Sequence, residues 1–168
     1  MTSDIRQRAI LWPKGHVYED FVVGELMEHH WGRTITESDA ILFTTLTLSY
    51  NPLYFNREYA RALGHPDIVV NPLYVFNTVF GLTVEDCSEG GGPFLGVGKL
   101  IYHGPVYPGD TLTSRSTTVA KRTSESSPGM GIVTWRTEGL NQKGALVIEY
   151  ERSNLVRRRE PGSKEQQS

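Results

Sequence analysis

Residues 71–82 read Asn71-Pro72-Leu73-Tyr74-Val75-Phe76-Asn77-Thr78-Val79-Phe80-Gly81-Leu82 and contain the clearest helix start in the chain. Asparagine is a preferred N-cap because its side-chain oxygen accepts from a free main-chain N–H of the first turn. Proline suits the next position, where its missing N–H costs nothing. Leu73, Phe76, Val79 and Phe80 then recur on one face, and Val75 and Leu82 widen it. A helix this apolar is expected to be buried, as a central helix around which a sheet wraps.

The pattern changes to strands after Gly90-Gly91-Gly92-Pro93. Residues 94–102 are one candidate strand, and the turn-rich Pro105-Val106-Tyr107-Pro108-Gly109-Asp110 follows. Residues 111–123 alternate and are rich in Thr and Val, which suits a strand. Residues 131–140 and 145–156 read as an antiparallel pair joined through Asn141-Gln142-Lys143-Gly144. Upstream, residues 26–33 read as a strand. Thr36 and Asp39 have the spacing of a capping box, and Ala40, Ile41, Phe43, Thr44 and Leu46 follow at helical spacing. Pro52 blocks that helix. A short helix is expected over 57–63, capped by Asn56 and ended by Gly64 and Pro66. Helices and strands are segregated along the chain, which argues for an α+β fold.

The chain has 168 residues, a length that suits one domain with a sizeable core. We expect a domain over 17–159, an arm over 1–16 and a disordered polar tail over 160–168. The net charge of −2 leaves no footprint for nucleic acid or an anionic membrane. Arg157-Arg158-Arg159 reads as a solvated strand end. The lone Cys87 can form no intrachain disulfide and has no metal spacing around it, so it reads as a small packed side chain. No run of eighteen apolar residues is present, and the first fifteen residues hold no apolar stretch of a secretory signal. A cytoplasmic protein is the expectation.

Five stretches, in order, resemble the MaoC-like dehydratase family. They are Tyr18-Glu19-Asp20-Phe21-Val22-Val23-Gly24-Glu25; Gly32-Arg33-Thr34-Ile35-Thr36-Glu37-Ser38-Asp39; Asn51-Pro52-Leu53-Tyr54-Phe55 with Glu58-Tyr59-Ala60; Gly104-Pro105-Val106-Tyr107-Pro108-Gly109-Asp110-Thr111-Leu112; and Arg136-Thr137-Glu138-Gly139-Leu140-Asn141-Gln142. Each motif is weak alone, but five in order are specific. The last resembles members close to mesaconyl-CoA hydratase. The resemblance implies a hot-dog fold, a curved antiparallel sheet around a long central helix. It also implies paired subunits with the active site at or near their interface.

The chemistry implied is hydration or dehydration of an acyl thioester. A base must activate water, an acid must protonate Cα, and fixed dipoles must stabilise an enolate-like oxygen. In the family an Asp and a His five positions apart do the acid/base work, and a main-chain N–H at the central helix start is the oxyanion donor. By resemblance the Asp position falls on Ser49 and the His position on Tyr54, the largest departure from the family. An ordinary Tyr has a pKa near ~10 and Ser is weaker still as an acid, so neither is a good base unaided. Both can also be read as packing or pocket-lining residues. Asn51 stands where the family has its Asn, to organise the loop or touch substrate. The N–H groups of Asn71 and Leu73 are the oxyanion candidates, with Asn71 also a cap. Tyr50 and Tyr74, with Phe43, Tyr54 and Phe76, line an aromatic pocket or belong to the core.

His29, His30 and His103 are candidates for a displaced acid/base, although surface or packing roles account for them more simply. His29 and His30 are neighbours on an expected strand, so they point to opposite faces. Glu85 and Asp86 are expected to be exposed. No metal or redox cofactor is implied; coenzyme A would enter as part of the substrate, with an acyl carrier protein as the other possible thioester. Three readings stay open. The first is a hydratase of a short or branched acyl-CoA using Ser49 and Tyr54. The second is a non-catalytic subunit that pairs with an intact one and shapes its acyl site. The third is a thioesterase. Partners are accordingly a homodimer, a higher homo-oligomer or a heterodimer with a related hot-dog subunit.

Overall fold

The computed structural model describes residues 15–159. Residues 1–14 of the expected arm and the expected tail over 160–168 lie outside the described residues. The strands are β1 (Leu26–Glu28), β2 (Arg33–Thr34), β3 (Phe94–Tyr102), β4 (Thr111–Thr123), β5 (Met130–Leu140) and β6 (Leu146–Arg157). The helices are α1 (Glu37–Leu46), α2 (Arg57–Ala62), α3 (Pro72–Leu82) and α4 (Val84–Cys87), with 3-10 turns at Tyr18–Asp20 and Pro52–Tyr54. The strands form an antiparallel sheet in the order β1-β4-β5-β6-β3, and β2 also pairs with β4. With α3 laid on one face, this is the expected α+β hot-dog architecture.

Residues 26–33 are not one strand. Between Glu28 and Arg33 this segment advances five residues, while its partner β4 advances three, from Arg115 to Leu112. The surplus bulges out of the ladder, and the His29 side chain turns inward to bond Asp86 and Ser116.

The long strands bury alternate residues. Ser114, Ser116 and Thr118 of β4, Trp135 and Thr137 of β5, and Tyr150, Arg152 and Asn154 of β6 are buried on the face beneath α3. Near the start of α3 the core is aliphatic, built from Ile35, Val70, Val75, Val79, Leu112 and Ile148. A second cluster, Phe21, Cys87, Val133, Trp135 and Val156, lies toward the other end.

The central helix is less enclosed than its composition predicts. Within it only Val75 and Val79 are fully buried, while Leu73, Asn77 and Gly81 face outward. One sheet covers one face of a helix, and this sheet does not close around the other. The strand end at Arg158 and Arg159 also differs from a freely solvated one, because both arginines bond Glu19 or Asp20 at the 18–20 turn. Among the described residues β3 pairs only with β6, and Phe94, Leu95, Leu100, Ile101 and Tyr102 are exposed along it.

Gly139 of β5 sets how closely α3 sits. A Cβ there would lie 2.6 Å from Ile148 Cγ2 and 2.7 Å from Val79 Cγ2. Gly139→Val should therefore lower stability by about 1–3 kcal/mol through overpacking. Urea unfolding checks this, and an unchanged midpoint would show that α3 does not rest on Gly139.

Candidate active site at the start of the central helix

The helix start is held from two sides by main-chain bonds. Val69 N–H donates to Leu53 O at 3.0 Å, and Val70 N–H donates to Val106 O at 2.9 Å. The buried run Ile68-Val69-Val70 thus ties the 52–54 turn and the 105–110 turn to Asn71. Asn71 is itself 2% exposed. Its Oδ1 accepts from Leu73 N–H at 2.9 Å, and its Nδ2 donates to Ser49 Oγ at 3.0 Å.

This changes the oxyanion assignment. The Leu73 N–H is occupied by the cap, and Pro72 has no N–H. The Asn71 N–H finds no acceptor among the described residues. It is the one first-turn donor here that both stays unpaired and lies at the positive end of the helix dipole.

Ser49 is presented by the end of α1. Ser49 N–H donates to Thr44 O at 3.0 Å and Leu48 N–H to Thr45 O at 3.3 Å, a Schellman-type closure. That closure needs a left-handed residue at Leu48, where φ is 55°. Leucine at such a position carries strain of about 1–2 kcal/mol. The cost stands directly beside Ser49, as strain at functional loops often does.

Tyr54 ends the short turn that Asn51 caps, with Asn51 Oδ1 accepting from Leu53 N–H at 3.0 Å. Asn51 therefore organises the loop. Tyr102, at the end of β3, donates from its hydroxyl to Pro72 O at 2.9 Å. Burial, and then the neighbouring Tyr54, push the Tyr102 phenol above its ordinary pKa, so it stays protonated at neutral pH. The sequence reading missed Tyr102. The signal available was its place at the strand end just before Gly104-Pro105. A pocket of about 280 Å³ opens here, walled by Val70, Pro72, Val75, Tyr102, Pro105 and Val106.

The other candidates divide. Tyr74 stacks on Phe43 with ring centroids 5.1 Å apart, Phe76 packs edge-on against Tyr150, and Tyr50 stands exposed. Residue His103 borders the pocket, and its Nε2 lies 3.4 Å from Glu149 Oε1. Glu149 also bonds Arg136, which holds its carboxyl below the usual range.

His29 and His30 are not at this site. His29 Nδ1 meets Asp86 Oδ2 at 2.5 Å, and Nε2 meets Ser116 Oγ at 2.8 Å. Asp86 is acceptor-only when ionised, so Nδ1 carries the proton and Nε2 accepts from Ser116. His30 Nε2 lies 3.6 Å from Glu85, which also accepts from Trp31 Nε1 at 2.7 Å. Glu85 and Asp86 are thus engaged rather than free in solvent. Both follow α3, whose eleven residues span roughly 16 Å. Neither histidine can reach a group held at Asn71. Ser116, His29 and Asp86 have the bonding order of a nucleophile relay, but Ser116 is fully buried and bonded to Thr137. Among the described residues no three or more His, Cys, Asp or Glu side chains group as for a metal ion, and no helix is long and apolar enough to cross a membrane.

A family model described as mesaconyl-CoA hydratase matches residues 2–167. The chain belongs to the mesaconyl-CoA hydratase family, among the MaoC-like hot-dog proteins. It is 38% identical to a mesaconyl-CoA hydratase of Haloarcula marismortui over 162 residues, covering 96% of this chain and 45% of that one. It is 36% identical over 149 residues to a beta-methylmalyl-CoA dehydratase of Chloroflexus aurantiacus, covering 89% of this chain and 42% of the other. A solved MaoC domain protein dehydratase from Chloroflexus aurantiacus superposes with a TM-score of 0.83 at 36% identity, again covering 89% of this chain and 42% of that one. The chain thus spans less than half the length of these family relatives.

The far-end histidine has a consequence for stability. Burial pushes the His29 pKa below its ordinary value; Asp86 opposes the shift, and the nearby Arg152 and His30 add to it. A histidine whose folded pKa is depressed favours folding in its neutral form. That contribution is present above the unfolded value near ~6.5 and is lost as pH falls through and below it. Thermal unfolding of the wild type should therefore shift down between about pH 7.5 and pH 5.5, and more than that of His29→Gln. Equal shifts in the two proteins would assign the pH dependence elsewhere.

Proposed function

We propose that this chain is the acyl-CoA-binding hot-dog unit of a hydratase or dehydratase, holding the thioester oxygen at the Asn71 N–H. The observation that carries this is the N–H of the buried Asn71, which meets no acceptor among the described residues, next to a pocket lined by its neighbours Val70 and Pro72. As the oxygen gains charge in an enolate-like transition state, a fixed donor at a helix N-terminus stabilises it without reorganising. Tyr102 and Asn71 side chains hold the helix start, and Ser49 and Tyr54 stand around it where the family chemistry calls for Asp and His.

Neither Ser49 nor Tyr54 supplies a base for water. The reading that follows is that proton transfer falls to a second hot-dog unit bearing the intact pair. Two facts support a second unit: the relatives are more than twice as long as the matched region, and β3 offers an exposed apolar edge. A paired edge would remove the unpaired N–H and C=O row that such a strand presents. A second copy of this chain would carry the same Ser49 and Tyr54, so this reading requires a related hot-dog unit that bears the Asp and His.

A second reading, hydration by this chain alone, is favoured by the Tyr54–Tyr102 pair, since a neutral phenol can deliver a proton to Cα. Thioester hydrolysis has less support, because Glu85 and Asp86, the first carboxylates after α3 begins, are bonded at its far end.

The test is a crotonyl-CoA hydration assay on wild type, Tyr54→Phe, Ser49→Ala and the double variant Ser49→Asp/Tyr54→His. The double variant should gain roughly 10²–10⁴-fold over wild type, the usual contribution of positioned acid/base groups. Wild-type hydration that Tyr54→Phe or Ser49→Ala abolishes would establish the second reading instead.

A further inference from the structure

The orientation of one side-chain amide decides what Ser49 can do. The Leu73 N–H is a donor only, so the Asn71 atom that meets it at 2.9 Å is the carbonyl oxygen Oδ1. The amide is thereby fixed, and its NH2 group is the one turned to Ser49, 3.0 Å from Oγ. An NH2 group donates and does not accept. The Ser49 oxygen therefore accepts from Asn71, and its own O–H proton points elsewhere. That hydroxyl has no second partner among the described residues.

A carboxylate in the same place would act in the opposite sense. An ionised Asp also accepts from the Asn71 amide, but it has no proton to give. Serine at this position keeps the bond that steadies Asn71 and adds a donor.

The donor is close to the main-chain N–H of Asn71 and is held still. It bonds the side chain of that same residue, so the two donors lie within one side chain's length of each other. The Ser49 main chain is fixed on both sides. Its N–H donates to Thr44 O at 3.0 Å, and its C=O accepts from Asn51 N–H at 2.9 Å. Leu48, just before it, holds a left-handed turn with φ 55°. A half-buried hydroxyl on such a frame meets developing charge with little reorganisation.

We infer that Ser49 is a second oxyanion donor, its O–H joining the Asn71 N–H on the thioester oxygen. This rests on the thioester-binding reading above and gives Ser49 a role other than base for water. Two fixed donors polarise the thioester carbonyl more than one. Ser49 transfers no proton in this role, so the acid and the base come from other groups.

The experiment is difference absorbance of hexadienoyl-CoA bound to the full chain. Polarising its carbonyl draws electrons along the conjugated system and moves the band to longer wavelength. The protein is kept in excess, so that all of the ligand is bound and affinity does not enter the reading. Wild type should shift the band, and Ser49→Thr, which keeps the hydroxyl, should retain the shift. Ser49→Ala should lose about half of it, as one of two comparable donors is removed. Ser49→Asp separates the donor role from a purely structural one. It keeps an acceptor for the Asn71 amide but has no proton to donate, and it should lose at least as much as Ser49→Ala. A full shift in Ser49→Asp or in Ser49→Ala would overturn the donor role and leave the thioester-binding reading intact. If wild type gave no shift at all, that reading itself would fail.

Discussion

The amide of Asn71 is the contact on which this end of the molecule depends. One side-chain oxygen closes the first turn of α3, and the amide nitrogen reaches Ser49 across the loop from α1. Both bonds are buried, so an unmade partner would leave a desolvated polar group costing about 1–3 kcal/mol. Because the side chain satisfies the Leu73 N–H and Pro72 has none, the main-chain N–H of Asn71 is the donor here that meets no acceptor among the described residues. The structural cap and the candidate chemical group are thus the same residue acting through different atoms.

The two ends of α3 differ in kind. At its start the surroundings are largely aliphatic, and the polar groups are the Asn71 amide, main-chain groups and hydroxyls, with His103 and Glu149 beside the pocket. At its end lies a buried polar cluster: Arg152 between the Phe80 and Trp135 rings, Cys87, Ser116, Thr137 and the His29–Asp86 pair. Burial pushes the Cys87 thiol up to about 11, which keeps it protonated and unreactive. Arg152 lies beneath the helix with two aromatic faces against its guanidinium, an arrangement that offsets part of its lost hydration. The Val79–Gly139 contact separates the two environments, so a single short helix serves a candidate binding pocket at one end and a polar clamp at the other.

Much of this was legible from residue order. Asn-Pro marked the start of α3, and its cap is as expected. The capping box of Thr36 and Asp39, the Asn56 cap, the strand bounds over 94–102 and 111–123, and the hairpin turn over 141–144 follow local rules that depend on neighbours in the chain. The site was legible in part. Ser49 and Asn71 meet, and Tyr54 lies by the helix start, but Tyr102 comes from a strand nearly fifty residues further on, with no local signal to pair it with them. His29 and His30 looked available because a sequence shows residue types and not where a bulge sends them. Glu85 and Asp86 looked exposed for the same reason.

What the sequence by itself determined was the set of elements, their order and the family to which they belong, because caps, periodicity and turn residues act over a few positions. What only the tertiary structure decided was which polar groups remain free. The Leu73 N–H is taken by its own cap, the Asn71 N–H meets no acceptor among the described residues, His29 is bonded on both ring nitrogens, and Val70, Pro72 and Val106 wall one pocket. Each of these follows from contacts between segments far apart in the chain, where hydrogen-bond partners and close packing are settled only once the helix is seated on the sheet.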